Sequence, residues 1–399
     1  MGKHIIRLSI IFLFVQVLGS TCLLYSQVEN PVMGPDARLK SWQQHQKLKS
    51  ESVYKDLSWR VAGPEFIGGR IESVAVHPDN PFTIYAGAGS GSLWKTVNNG
   101  TTWEPIFDDQ PTFAIGSVAI APSDPDVIWV GTGEVLMARS SYSGLGVFRS
   151  EDAGKSWQNM GLEGTYHIPK IVIDPEKNET VYVAALGHNY TYNEERGVYK
   201  TIDGGKNWEK VLYLGDKIGI IDLVMDPADN LTLYAVAWER ERKAWRNDIA
   251  GKGSGIYRTN DGGKTWKRLA NGIPVGEHVG RIGLAIAPTN ANVIYALIDN
   301  QQPDSTQSRG TVGGELFRSD DKGERWVKTH REPFPTSIGY DFCLVRVSPD
   351  DENEVFVPGW KLVHSVDGGK TFEFTGKLCS SFITDIRVMH LDMHGVDRP

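Results

Sequence analysis

An eight-residue stretch, TNDGGKTW at 259–266, returns along the chain and constrains everything between its copies. SEDAGKSW occupies 150–157, TIDGGKNW 201–208, SDDKGERW 319–326 and SVDGGKTF 365–372. A sixth copy, TVNNGTTW at 96–103, has Asn98 where the others have Asp152, Asp203, Asp261, Asp321 and Asp367. Spacing of roughly 50 residues, with one strand–turn–strand signal per period, marks a repeat architecture of the propeller kind. The octet is turn chemistry. The acid at its third position can accept hydrogen bonds from backbone N–H groups just ahead of it. The glycine at its fifth supplies a positive φ. A short apolar strand precedes each copy (SLWK, GVFR, GVYK, GIYR, ELFR) and another follows, so the octet reads as the hairpin turn between two outer strands. With the acid used by its own backbone, the sequence predicts a folding clip rather than a catalytic or calcium-binding carboxylate.

The rest of each repeat has one grammar. An apolar strand ends in a proline turn (ESVAVHPDNP at 72–81, GSVAIAPSDP at 116–125, PKIVIDPEKN at 169–178 and their counterparts). A second strand rich in Val, Ile and Tyr follows (TIYAGAG, VIWVGTG, TVYVAAL, TLYAVAW, VIYALID, EVFVPGW). Such residues favour buried strands, and the near-continuous apolar first strands should lie innermost. The expectation is an all-β chain from residue 57 to 399, a β-propeller of six four-stranded blades. Phe382 to Asp397 starts a seventh repeat with no octet after it.

Ahead of the repeats, residues 1–26 read as a signal peptide, with Lys3, His4 and Arg7 before the apolar run Leu8–Leu18. Cys22 raises a lipoprotein alternative, which Thr21 before it fits poorly. Residues 27–56 form an N-terminal arm with a short helix over 35–50. Net charge of −7 argues against nucleic acid as a partner. No second long apolar run exists, so no membrane span is expected after signal removal. The chain is expected to be secreted or to sit in the cell envelope. Two cysteines beyond the signal, Cys343 and Cys379, are too few for a disulfide scaffold.

The octet resembles the Asp-box, or BNR repeat, of sialidase-like propellers. Together with GGRIESVAVHP, GTGE, GVFRSEDAGKSWQNMGL, ERGVYKTIDGGKNWEKVLY and GSGIYRTNDGGKTWKRL, it makes the chain resemble secreted bacterial proteins of the BNR/sortilin N-terminal-domain type. These are glycosyl-hydrolase-like and related to xyloglucanase propellers. The resemblance runs from about residue 53 to the end. It implies an N-terminal portion of a longer protein type, and it is specific for fold rather than activity. Where xyloglucanases carry a catalytic Asp in a YARTDIGG-like segment, this chain has YAGAGSGS, with Gly89 at about that position. Where sialidases have Arg-Ile-Pro, it has Arg70–Ile71–Glu72, and Arg281 recurs in the same context (VGRIGLAI), which makes both read as repeat-structural arginines.

Alternating turns place the proline turns and Asp-boxes on one face and the second-to-third-strand loops on the other. Those loops are long in blades two to five. They carry Glu134, Arg139, His188, Tyr190, Arg196, Trp238, Trp245 and Arg246, the residues expected to contact ligand. Aromatics beside arginines suit a protein, peptide or glycan ligand. The rival reading is a glycoside hydrolase, which needs two placed carboxyl groups. Glu134, Glu195, Glu239 and Asp248 supply acids on that face, but no catalytic residue can be assigned. A third reading is a structural module of a larger cell-envelope protein. His390, Asp392 and His394 alternate, so a strand there would point three metal-ligand types one way. The plainer expectation is a solvated terminus, and no metal or cofactor is assigned.

Overall fold

A computed structural model describes residues 34–57 and 70–374, apart from 139, 308–309, 332–333, 335–338, 340–341 and 360. The signal segment, Arg139, Cys379, the seventh repeat and the His390/Asp392/His394 group lie outside the described residues. The chain divides into two units, Met1–Leu57 and Ser58–Pro399. The first holds α1 (Pro35–Glu51), with no buried residue. Pro35 starts it, where a missing N–H leaves no helical bond unmade. No helix among the described residues is long and apolar enough to cross a membrane.

The second unit is a six-bladed β-propeller. Each blade is a four-stranded antiparallel sheet with its strands in chain order. The inner strands are Ile71–His77, Ile115–Ala121, Lys170–Asp174, Ile218–Asp226, Val279–Ala287 and Arg346–Val347, and successive inner strands pack against one another. The core lies between blades. Trp129 of blade two, for example, packs with Ile171, Ile173 and Val183 of blade three. Blade four adds a small hairpin, Glu241–Arg242 paired with Asn247–Asp248.

The octets form as their residue types require. Their fourth and fifth residues both take positive φ: 71° and 96° at Gly262 and Gly263, 58° and 86° at Lys322 and Gly323. Asp261 Oδ1 accepts the Thr265 N–H at 2.9 Å, and its Oδ2 accepts the Thr265 hydroxyl at 2.6 Å. Thr259 Oγ1 donates to Asp261 and accepts the Gly263 N–H at 2.9 Å. The N–H of the fourth residue reaches the strand that leaves the proline turn of its own blade. Gly262 donates to Leu231 O, Lys322 to Asn292 O and Asn99 to Phe82 O. Box and proline turn therefore share one face.

This bonding holds the box acids ionised. The Ser156 hydroxyl and N–H bring Asp152 down to about 2, the Asn207 amide and N–H do the same for Asp203, and Thr265 lowers Asp261. A carboxyl group whose folded pKa is depressed stabilises the fold above its unfolded value and loses that contribution as pH falls through the folded one. Several such groups act together here. The melting temperature is therefore expected to hold down to about pH 4 and to fall steeply between about pH 4 and pH 2. Thermal scans across that range check it, and a flat response would show that the box acids do not support the turns.

A second device joins neighbouring blades. The carbonyl of the fourth box residue accepts from a tyrosine and a cation of the preceding blade. Ala153 O takes Tyr85 Oη and Lys95 Nζ at 3.4 and 3.0 Å. Gly262 O takes Tyr182 Oη and Lys200 Nζ at 3.1 and 2.8 Å. Lys322 O takes Tyr234 Oη and Arg258 Nη1 at 3.1 and 2.8 Å. Burial pushes these three tyrosines up to about 12, so they stay protonated donors. The sequence signal was in view, a Tyr in the second strand and a Lys or Arg ending the third. Its meaning depends on the next blade's position, which no local pattern encodes.

Candidate functional site

On the face opposite the boxes, the loop of blade two does not stand out into solvent. Val135, Leu136 and Met137 are buried, and Val135 and Met137 join the apolar cluster that contains Trp238 of blade four and Val279 of blade five. Three carbonyls of the loop are taken by other blades. Glu134 O meets His167 Nδ1 at 2.9 Å, Met137 O accepts Arg240 Nη2 at 3.0 Å, and Ala138 O accepts Asn189 Nδ2 at 3.1 Å. The Glu134 carboxylate pairs with Arg70, ahead of blade one's inner strand, and also accepts the Tyr142 N–H at 3.2 Å. A segment rooted in blade two that reaches blades one, three, four and five crosses the axis, so this loop plugs the mouth of the propeller. It differs from the expected exposed loop because VLM is apolar, and the gap above the inner strands is where apolar side chains leave water. His167 beneath it is pushed down to about 3 by burial and stays neutral.

The residues singled out in the sequence fall into two groups. Glu134, Arg196 and Trp238 are interior. Arg196 is 2% exposed and spends its guanidinium on Asn193 Oδ1 and on the carbonyls of His188, Thr191 and Lys217, so it clasps its own loop. Trp238 is 0% exposed, with Arg240 and Arg281 over its ring at 4.8 and 5.8 Å. His188, Tyr190, Trp245 and Arg246 reach the surface. His188 is half-buried and stacks on Tyr166 at 3.9 Å between centroids.

Trp245 is 85% exposed at the tip of the blade-four hairpin. The tip is closed by the Lys243 N–H to Arg246 O at 2.7 Å. Arg246 pairs with Glu241 and, at 2.8 Å, with Asp248, while Lys243 reaches Glu241 at 3.1 Å. The Tyr192 hydroxyl and then Lys243 hold Glu241 down to about 2. A network of this kind orders a hairpin where a single exposed pair would contribute little. Sequence reasoning about the site passed over Phe113. Its ring lies 5.1 Å from that of Tyr142, edge to face, and both are about half-exposed beside the Arg70–Glu134 pair.

The four acids singled out in the sequence each take a bond. Glu134 has its two bonds, and Glu239 accepts the Gly253 N–H at 2.7 Å. Asp248 holds Arg246, and Glu195 accepts the Asn193 amide at 3.0 Å. A Cβ at Gly89 would lie 2.8 Å from Glu134 Cγ and 2.9 Å from Glu72 Cγ, so a side chain there has no room without rearrangement.

Known proteins share this architecture. The Sortilin-Vps10 family model (sortilin, neurotensin receptor 3) matches residues 146–309. Xyloglucanase Xgh74A of Acetivibrio thermocellus is 23% identical over 352 residues, covering 77% of this chain and 38% of that protein. A xyloglucanase of a Paenibacillus species is 24% identical over 255 residues, covering 58% and 24%. Among solved structures, an ancestral GH74 enzyme superposes with a TM-score of 0.57 at 18% identity, over 80% of this chain and 39% of that one. YCF48 from Cyanidioschyzon merolae superposes with 0.50 at 15% identity, over 80% and 87%. Structural likeness at these identities speaks to the fold alone. The chain is a β-propeller that is similar to the sortilin family over residues 146–309 and to the xyloglucanases over most of its length. It spans 38% of the length of the Xgh74A relative.

Proposed function

We propose that the chain is a secreted binding module whose loop-rich face receives a protein, peptide or glycan ligand. The observation that carries this reading is an aromatic side chain held out to solvent on an ordered hairpin, beside four candidate acids that each take an internal bond. Hydrolysis of a glycoside needs one carboxyl group free to donate a proton and a second to act as nucleophile or base. Glu134, Glu195, Glu239 and Asp248 are each engaged elsewhere. Trp245, by contrast, offers a large ring whose backbone is already ordered, so binding through it loses little conformational entropy. The names of the xyloglucanase relatives favour glycans as the first ligands to try. They also keep hydrolysis as the rival outcome.

The test is a glycan and peptide array on the purified chain, run beside a chromogenic glycosidase panel. Binding without turnover is expected. Trp245→Ala is expected to weaken that binding about tenfold or more and to leave the melting temperature unchanged, because the ring contributes little to packing. Turnover in the panel, or binding indifferent to Trp245→Ala, would overturn the reading.

A further inference from the structure

The blade-four hairpin that carries Trp245 also carries a buried arginine, Arg242. Burial alternates along the strand that leads into it: Arg240 and Arg242 are buried, and Glu241 between them is not. Arg240 Nη2 donates to Met137 O at 3.0 Å, and Asn189 Nδ2 donates to the next plug carbonyl, Ala138 O, at 3.1 Å. Arg242 follows Arg240 on the same side of the strand, as residues two apart do. It is 6% exposed, and its Nε and Nη1 are shut away from water with no hydrogen-bond acceptor among the described residues. The nearest acids in sequence do not supply one, since Glu241 takes Lys243 and Arg246, and Asp248 takes Arg246. Among the described residues, two amide oxygens of this corner lack a donor in the same way. One is Oδ1 of Asn247, the residue paired with Arg242 in the hairpin register. The other is Oδ1 of Asn189, on the blade-three loop. Lys243 Nζ reaches Tyr190 O at 3.5 Å, so the hairpin and that loop meet here.

A guanidinium taken out of water without a partner is strongly unfavourable, and each amide oxygen without a donor adds to the cost. Buried groups left over together call for a species between them. Their needs differ: Arg242 wants anionic oxygens, while Asn247 and Asn189 want hydroxyl or N–H donors. Water brings donors but no charge. A sugar acid brings both, because its carboxylate is carried on a ring that also bears hydroxyls. We propose that this corner, between the blade-four hairpin, the blade-three loop and the plug, binds a uronic-acid residue of a glycan. Its carboxylate meets Arg242, and its hydroxyls donate to the two asparagine oxygens. Trp245 stands three residues further on, about 10 Å along the hairpin, and offers its exposed ring to the face of a neighbouring sugar. The proposal rests on the reading of this face as a binding surface and names the class of its ligand.

The test is titration calorimetry of the purified chain with oligogalacturonides and with hyaluronan oligosaccharides, each set beside its carboxyl-reduced form. At least one acidic set is expected to bind about tenfold or more tightly than its reduced form. Arg242→Gln is expected to abolish that preference without lowering the melting temperature, because it removes a charge that the fold leaves unpaired. The proposal falls if neither acidic set binds, if the reduced forms bind as well, or if Arg242→Gln keeps the preference. A lowered melting temperature in Arg242→Gln, or its failure to fold, also overturns it, since Arg242 would then be a structural cation. The comparison of acidic and reduced forms on the wild type needs no variant and can sink the proposal alone. Neutral sugars that bind through Trp245 with no preference for acid would do so while leaving the binding-module reading intact. Arg242-dependent capture of peptides with free but not amidated C-termini would give the cation to a peptide carboxylate instead. Turnover of any of these sugars, by contrast, would count against the binding-module reading itself.

Discussion

Replacing Trp238 with alanine is expected to lower stability by about 3–5 kcal/mol, the usual range for a large aromatic removed from a packed interior. Trp238 is fully buried, its Nε1 donates to Ile249 O at 2.9 Å, and it packs among Met137, Val279 and Ile298. Its ring also lies under Arg240 and Arg281, so its loss removes two cation–π contacts as well as opening a cavity. Urea unfolding measures the effect. Any ligand binding lost in this variant should follow the fraction of folded protein. The contrast with Trp245 is direct: the same residue type, seven positions on, is expected to shift stability by less than about 0.5 kcal/mol. A Trp238→Ala change within about 1 kcal/mol of wild type would mean that the plug and blade-four core can repack around the gap.

The second large effect is expected at Glu134. Removing one partner of a buried ion pair strands the other, at a typical cost of about 3–5 kcal/mol. Glu134→Ala leaves Arg70 without its carboxylate and the Tyr142 N–H without its acceptor, and it loosens the root of the plug. Glu134→Gln keeps the shape and an acceptor oxygen, so it should fall between alanine and wild type. Unfolding midpoints of the three proteins give the order. If Glu134 were instead the acid of a hydrolase, Glu134→Gln would keep wild-type stability and abolish turnover. The two roles thus separate on one pair of measurements.

How much of this was legible in the chain depends on how local each cause is. The octets were legible because Asp261, Thr265 and the two glycines between them satisfy one another within a few residues, and a positive φ selects glycine without help from elsewhere. The proline turns and the apolar strands were legible for the same reason. The blade count follows from them, since six copies of one hairpin signal can only be six sheets. The faces followed too, because turns along a meander alternate sides.

The site was decided by tertiary structure. Glu134, Arg196, Trp238 and Trp245 look alike as loop or loop-flanking residues, yet three are interior and one stands in solvent. What separates them is which distant backbone comes near. Arg240 and Asn189 take the carbonyls of the blade-two loop and draw Met137 over Trp238. Lys217 and His188 offer the carbonyls that occupy Arg196. The inter-blade bonds of Tyr85, Tyr182 and Tyr234 reach carbonyls 68, 80 and 88 residues away. Sequence determined the blades because turn chemistry is satisfied by neighbours in the chain. Burial and charge pairing are settled by neighbours in space, and for this protein only the closed arrangement of blades supplies them.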